Sequence, residues 1–244
     1  MQKIWTTPAG EYSRLYADML EQPHLLIAGA TGSGKSVIIN GMIYAAMYDS
    51  PAVNRFILID VKRVELSDYK RLPHTIAYAD DVKSAINALN LALMHTEARY
   101  KDMQRRKLRM YDGAHIYVII DELADLMTTA KRQAMPLIQR LCQIGRAARV
   151  HVVAATQCPL AAVIPTPIKV NFDARVGLRT RSAQDSRNIL GMTGCECLPR
   201  YGLGYYMRPE GIDKYKIPMV ADADRLRMVD YWTHTKPKKR LFAR

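Results

Sequence analysis

Short apolar runs bounded by turn residues alternate along this chain with longer stretches in which apolar positions recur every three or four residues. Unbroken or alternating apolarity reads as strand and a 3.6 period as helix, so the pattern predicts an α/β fold of βα units stacked around a mainly parallel central sheet flanked by helices. Strands are expected at His24 to Gly29, Arg55 to Asp60, Thr75 to Ala79, Ile116 to Asp121, Val150 to Ala155 and Ala174 to Arg179. A late pair, Gly204 to Arg208 and Lys214 to Met219, has the spacing of an antiparallel C-terminal β-hairpin. The clearest helix runs from Asp80 to about Met110, with Val82, Ile86, Leu89, Leu93, Tyr100 and Met103 on one face. Arg99, Lys101, Arg105 and Arg106 fall mostly on the other, solvated face. A second helix, from about Arg132 to Ala148, turns Met135, Ile138, Leu141 and Cys142 inward. No repeat, low-complexity tract or linker divides the chain, which predicts one domain over 1–232 and a short basic tail over 233–244.

Composition narrows the class. With 244 residues, 49% apolar and 24% charged, the chain has the balance of a packed globular domain and not of a disordered one. No run approaches the roughly 18 apolar residues of a membrane helix, and the opening Met1 to Pro8 has neither an apolar h-region nor a cleavage signal. The expected location is cytoplasmic. The net charge of +13 implies affinity for polyanions, either nucleic acid or an acidic membrane surface, and does not choose between them. Cys142, Cys158, Cys195 and Cys197 lack zinc-ligand spacing and read as reduced, mostly buried thiols. The thirteen methionines and the Tyr201, Tyr205 and Tyr206 cluster read as packing, not as a stacking platform for single strands.

Chemistry enters directly after the first strand, where Gly29-Ala30-Thr31-Gly32-Ser33-Gly34-Lys35-Ser36 forms a complete G-x-x-x-x-G-K-S phosphate loop. The glycines allow successive N–H groups to turn inward around phosphates, and the following helix points its positive end at the same charge. The expected nucleotide-binding set is therefore Gly29, Ala30, Thr31, Gly32, Ser33, Gly34, Lys35, Ser36 and Val37, with Lys35 reaching the β and γ phosphates of ATP and the Ser36 hydroxyl on Mg²⁺. About ninety residues later, Tyr117-Val118-Ile119-Ile120-Asp121-Glu122 is an apolar strand ending in two acids. Asp121 is assigned to the Mg²⁺ shell and Glu122 to polarising the attacking water, an arrangement for hydrolysis. Ala154-Ala155-Thr156-Gln157 closes the strand expected beside Asp121, where Gln157 can hydrogen-bond the γ-phosphate or the lytic water.

These segments, together with Ile59-Asp60-Val61-Lys62, Glu65-Leu66, Leu123-Ala124-Asp125-Leu126-Met127, Arg146-Ala147-Ala148, His151 and Asp185-Ser186-Arg187-Asn188-Ile189-Leu190, resemble the motor domain of the FtsK/SpoIIIE DNA translocases. The match runs in order from about Pro8 to Trp232. The resemblance implies a RecA-like P-loop core assembled as a ring, usually a hexamer, with ATP at subunit interfaces and double-stranded DNA in the central channel. This sequence departs from the family at Val61, where proline is usual, at Cys158, where arginine is common, and in a short Met110 to His115 segment. Membrane, extra N-terminal and winged-helix domains of the long members have no counterpart, so the expectation is a minimal motor, its targeting left to a possible protein partner.

A ring motor needs an arginine from the neighbouring subunit, and the resemblance points first to Arg146 and second to Arg99. It also places Lys131, Arg132 and Lys169 on channel loops, as contacts to the DNA backbone. Two other functions fit the same sequence: a conjugative coupling or protein-secretion ATPase moving single-stranded DNA or protein, and a nucleotide-gated DNA-binding scaffold. The Lys236 to Arg244 tail reads as an incidental basic terminus, with a further DNA grip as its alternative.

Overall fold

A computed structural model of the chain describes residues 11–235; the opening segment and the basic stretch from Lys236 lie outside the described residues. Helix α1 (Glu11–Glu21) leads into β1 (His24–Ala28), α2 (Lys35–Ala46), β2 (Asn54–Ile59), β3 (Thr75–Ala79) and the long α3 (Val82–Arg106). Then come β4 (His115–Ile120), α4 (Leu123–Thr129), α5 (Lys131–Ile144), β5 (Val150–Thr156), α6 (Thr166–Lys169), β6 (Ala174–Gly177) and α7 (Ala183–Leu190). The hairpin β7 (Leu203–Arg208) and β8 (Gly211–Lys216) and helix α8 (Asp222–His234) complete the order.

The eight strands form one sheet in the order β3-β2-β4-β5-β1-β6-β7-β8. The first six neighbours pair in parallel, and β6-β7-β8 pair antiparallel. β1 and β5 are buried at every position because helices cover both faces, which is why they read as unbroken apolar runs. One face packs with α1, α2 and α8 around Tyr16, Met42, Phe56 and Trp232. The other packs with α3, α4 and α5 around Leu89, Val118, Ile138 and Phe172. All parallel strands point their C-terminal ends toward the edge that carries the phosphate loop, so the loops after β1, β4 and β5 converge there.

Four sequence expectations need correction. The second hairpin strand is Gly211–Lys216, not Lys214 to Met219. Arg208 pairs directly with Gly211 across a tight turn, and Gly211 adopts φ +152°, so the strand starts at once. Its residues are almost all exposed and carry no apolar alternation to mark it. Helix α3 ends at Arg106 because Lys107 takes a left-handed conformation at φ 56°. Its start is set by a capping box between Asp81 and Ser84. The buried stripe of α3 is Ala85, Ala88, Leu89, Ala92, Thr96 and Met103, while Tyr100 is exposed. Small side chains let α3 lie close to the sheet. Arg99 does not belong to the solvated face: its guanidinium donates to the carbonyls of Ala148 at 2.7 Å and Arg149 at 3.2 Å and lies over the Tyr111 ring.

Candidate nucleotide site

The phosphate loop is pinned from both sides. Gly29 N donates to Thr156 O on β5 at 3.2 Å, and Ala30 N donates to Arg179 O beyond β6 at 2.8 Å. A Cβ on Gly29 would lie 2.6 Å from Ser33 Oγ and 2.7 Å from Leu178 Cβ, so the loop closes only around glycine. Gly32 and Gly34 take φ +70° and +107°, turning the backbone into α2. That helix begins with no side-chain cap and no acid in its first turn, leaving its N–H groups for an anion. Lys35 is buried and donates to Gly29 O at 2.8 Å and Ala30 O at 3.0 Å. Burial holds its ammonium below the usual lysine range, opposed by the charges of Glu122 and Asp121. Ser36 is half-buried on the next position of the helix.

Beyond β4, Asp121 N donates to Ile59 O at 3.0 Å, fixing the acidic pair beside the end of β2. Burial, followed by the charges of Asp60, Glu65 and Glu122, pushes the Asp121 carboxyl up to about 7, with Lys62 opposing. Glu122 is buried, and its carboxylate accepts from Ala124 N at 3.1 Å and from Gln157 N at 3.1 Å. Thr31 Oγ donates to Gln157 Oε1 at 2.6 Å. The phosphate loop, the acidic pair and the Thr156-Gln157 segment, separated by long stretches of chain, thus form one hydrogen-bonded chain from Thr31 through Gln157 to Glu122.

Sequence reasoning assigned no role to several residues here. Asp60 is fully buried and accepts from Val64 N at 3.3 Å and Leu66 N at 2.9 Å, shaping the loop that carries Lys62 and Glu65. Lys62 pairs with Asp125 on α4 at 3.5 Å. Arg179 and Arg200 line a cavity with Ala30, Thr31 and Ser33. The strand-end position marks Asp60, but nothing in the linear sequence associates Arg200 with the loop.

Of the cations expected at DNA, Lys131 and Arg132 lie on the loop side, whereas Lys169 lies near the start of β6, where its carbonyl accepts from Arg175 Nη2 at 3.0 Å. Lys131 is exposed at the start of α5 and donates to Ala162 O at 3.1 Å, joining the loops that follow β4 and β5. Arg132 beside it is exposed, whereas Lys169 is half-buried, with burial and Arg175 holding its ammonium down. Arg146 and Arg99 lie at the opposite, N-terminal edge of the sheet, near the start of β5. Arg146 is exposed and Arg99 is engaged as described above. The four cysteines are free, two buried, one half-buried and Cys197 exposed. Among the described residues no three His, Cys, Asp or Glu side chains are grouped to hold a metal, and no helix is long and apolar enough to cross a membrane.

The family model described as FtsK/SpoIIIE family matches residues 7–117 and 112–161. A DNA translocase FtsK of Agrobacterium fabrum is 37% identical over 88% of this chain, a match covering 29% of that relative. Another, from Caldanaerobacter subterraneus, is 43% identical over 75% of this chain and 27% of its own length. The chain therefore spans about a third or less of most of the curated relatives it matches. Among solved structures, the cytoplasmic domain of the Thermomonospora curvata type VII secretion ATPase EccC superposes with a TM-score of 0.77 at 24% identity, covering 89% of this chain and 28% of that one. The pCW3 conjugation coupling protein TcpA, solved with ATPγS, gives 0.76 at 22% identity, covering 87% and 66%. At these identities the two structures establish the fold, a RecA-like P-loop ATPase architecture.

Proposed function

The chain belongs to the FtsK/SpoIIIE family, and on that premise we propose that it is the motor of a DNA translocase, hydrolysing ATP as a ring of subunits, hexameric as expected, to move double-stranded DNA. The observation that carries this reading is the Thr31–Gln157–Glu122 chain, which links the phosphate loop to a buried carboxylate poised as a base. The loop N–H groups and Lys35 bind the phosphates, with Val37 in the first turn of α2. Glu122, oriented by the Gln157 and Ala124 amides, accepts a proton from the attacking water. Gln157 senses the γ-phosphate and transmits its presence to the loop after β5.

The donor set suits Mg²⁺. Ser36 and Asp121 offer hard oxygens, and a divalent cation would offset the burial and the neighbouring acids that raise Asp121. Bound there, Mg²⁺ would neutralise charge developing on the phosphates. In the ring, Arg146 is the first choice for the arginine acting in trans, since Arg99 is held by its own subunit. Lys131, Arg132 and Lys169 grip the DNA backbone without reading bases. The basic balance of the chain supports DNA as the track and a cytoplasmic location suits it.

The test is ATP turnover with double-stranded, single-stranded and no DNA at two salt concentrations. Duplex should stimulate turnover many-fold, with stimulation falling steeply as salt rises. Unchanged turnover at saturating duplex and low salt would remove DNA as the track, and stimulation confined to single strands would favour a coupling motor.

A further inference from the structure

The sheet order gives the phosphate loop two unlike flanks. On the β5 and β4 side stand Glu122, Asp121, Asp60 and Glu65. On the β6 side, Ala30, Thr31, Ser33, Arg179 and Arg200 line a cavity of about 270 Å³. Arg179 is fixed to the loop by its own backbone, through the Ala30 N to Arg179 O bond, and Leu178 N donates to Ala28 O at 2.8 Å in the residue before it. Arg200 reaches the loop from a different segment, two residues after buried Leu198. Its Nη2 lies 3.5 Å from the place a Cβ on Gly32 would occupy, and its guanidinium lies 5.5 Å from the Tyr201 ring centre. Neither guanidinium is neutralised by a carboxylate among the described residues, unlike those of Arg106, Arg208 and Arg225.

We propose that Arg179 and Arg200 clamp the phosphate chain of the nucleotide from within the same subunit, opposite the catalytic carboxylates; this rests on the phosphate loop being a nucleotide site. Volume selects the phosphates. Pockets for whole drug-sized ligands start near 300 Å³, so this cavity accommodates part of a nucleotide and not all of it. Charge selects them as well. A triphosphate entering beside four acids has Lys35 as the loop's one cation, and two guanidinium forks supply the bidentate donors that phosphate oxygens accept. The clamp makes nucleotide affinity a property of one chain, present before any ring forms and graded by the number of phosphates.

The experiment measures ATP, ADP and AMP affinity by calorimetry on the full chain, diluted until it is monomeric, with Mg²⁺ and with a chelator. Arg179→Ala, Arg200→Ala, their double variant and Lys35→Ala are compared, with thermal melts to verify folding. Each arginine variant should weaken ATP binding about tenfold, ADP less and AMP least, and Arg→Lys should restore part of the loss. Duplex affinity should stay unchanged. Wild-type ATP affinity in the double variant, alongside loss in Lys35→Ala, overturns the clamp and leaves the nucleotide site standing. A wild-type chain that binds no ATP overturns the nucleotide reading itself. Intact ATP affinity with weakened duplex binding gives the arginines to DNA and also overturns the clamp.

Discussion

Glu122 is held by two backbone amides, one from its own helix and one from the loop after β5, so its carboxylate is oriented before any substrate arrives. Replacing it by glutamine preserves the shape and removes the proposed base. Glu122→Gln should lower turnover by about 10²- to 10⁴-fold while leaving ATP affinity near wild type, measured by single-turnover hydrolysis and calorimetry. Asp121, the proposed Mg²⁺ ligand, costs stability at neutral pH. Its carboxyl is raised to about 7 from an ordinary value of 3.8, so folding favours the protonated form. The stability it contributes is complete below the unfolded value and is lost as pH rises through about 7. Asp121→Asn should therefore raise the melting temperature more at pH 8 than at pH 5, and should abolish hydrolysis at both. Equal shifts at the two pH values would show that burial and the neighbouring acids do not raise the Asp121 carboxyl.

At the scale of elements, the N-terminal ends of β1, β5 and β4 carry His24, His151 and His115. His151 Nδ1 faces the carbonyls of Gln22 and Pro23 at 3.0 and 3.2 Å and must therefore donate. Its Nε2 then accepts from His115 Nδ1 at 2.9 Å, an arrangement for neutral rings. His24 Nδ1 accepts from Val152 N at 3.0 Å. Burial lowers His24 to about 3, and His115 and His151 to about 4, from an ordinary 6.5. Groups lowered in the fold stabilise it above the unfolded value and lose that contribution as pH falls toward the folded one. Melting temperature should thus drop between pH 6.5 and 4, and His115→Gln should flatten that slope. The strand pattern made most elements legible, including Thr75–Ala79 at its observed ends. It missed β8, which is exposed and has no apolar period, and it rotated the α3 stripe because alanine is weakly apolar yet packs closest.

At the scale of the molecule, the proposed ring requires an arginine that reaches a neighbour's phosphate loop from a surface its own chain leaves open. Arg146 meets that condition and Arg99 does not. Mixing Arg146→Ala subunits with Lys35→Ala subunits is the direct check. Each variant alone should be inactive. The mixture should regain turnover, because some interfaces then pair an intact loop with an intact arginine. Arg99→Ala should instead lower stability by about 1–3 kcal/mol, seen as a shifted denaturation midpoint, since its charge-assisted bonds to two carbonyls are lost. The +13 charge is divided in the same way. Lys131 and Arg132 stay exposed on the loop edge, whereas Lys35 and Arg99 are turned inward.

The sequence alone marked the segments of the candidate nucleotide site. Phosphate binding by backbone N–H groups needs glycines and a lysine at fixed spacing, and a strand ending in acids is local as well, so each motif was visible in its own segment. It also determined the inner parallel strands, because burial on both faces leaves unbroken apolar runs. What only the tertiary structure decided is which groups are spent on each other. The bond from Thr31 to Gln157, the commitment of Arg99 to the Ala148 and Arg149 carbonyls, and the approach of Arg200 to Gly32 each join residues dozens to more than a hundred positions apart. Such partners are selected by the register of the strands and the packing of helices on them, and a guanidinium's spacing in the chain carries no mark of the carbonyl or phosphate it will face.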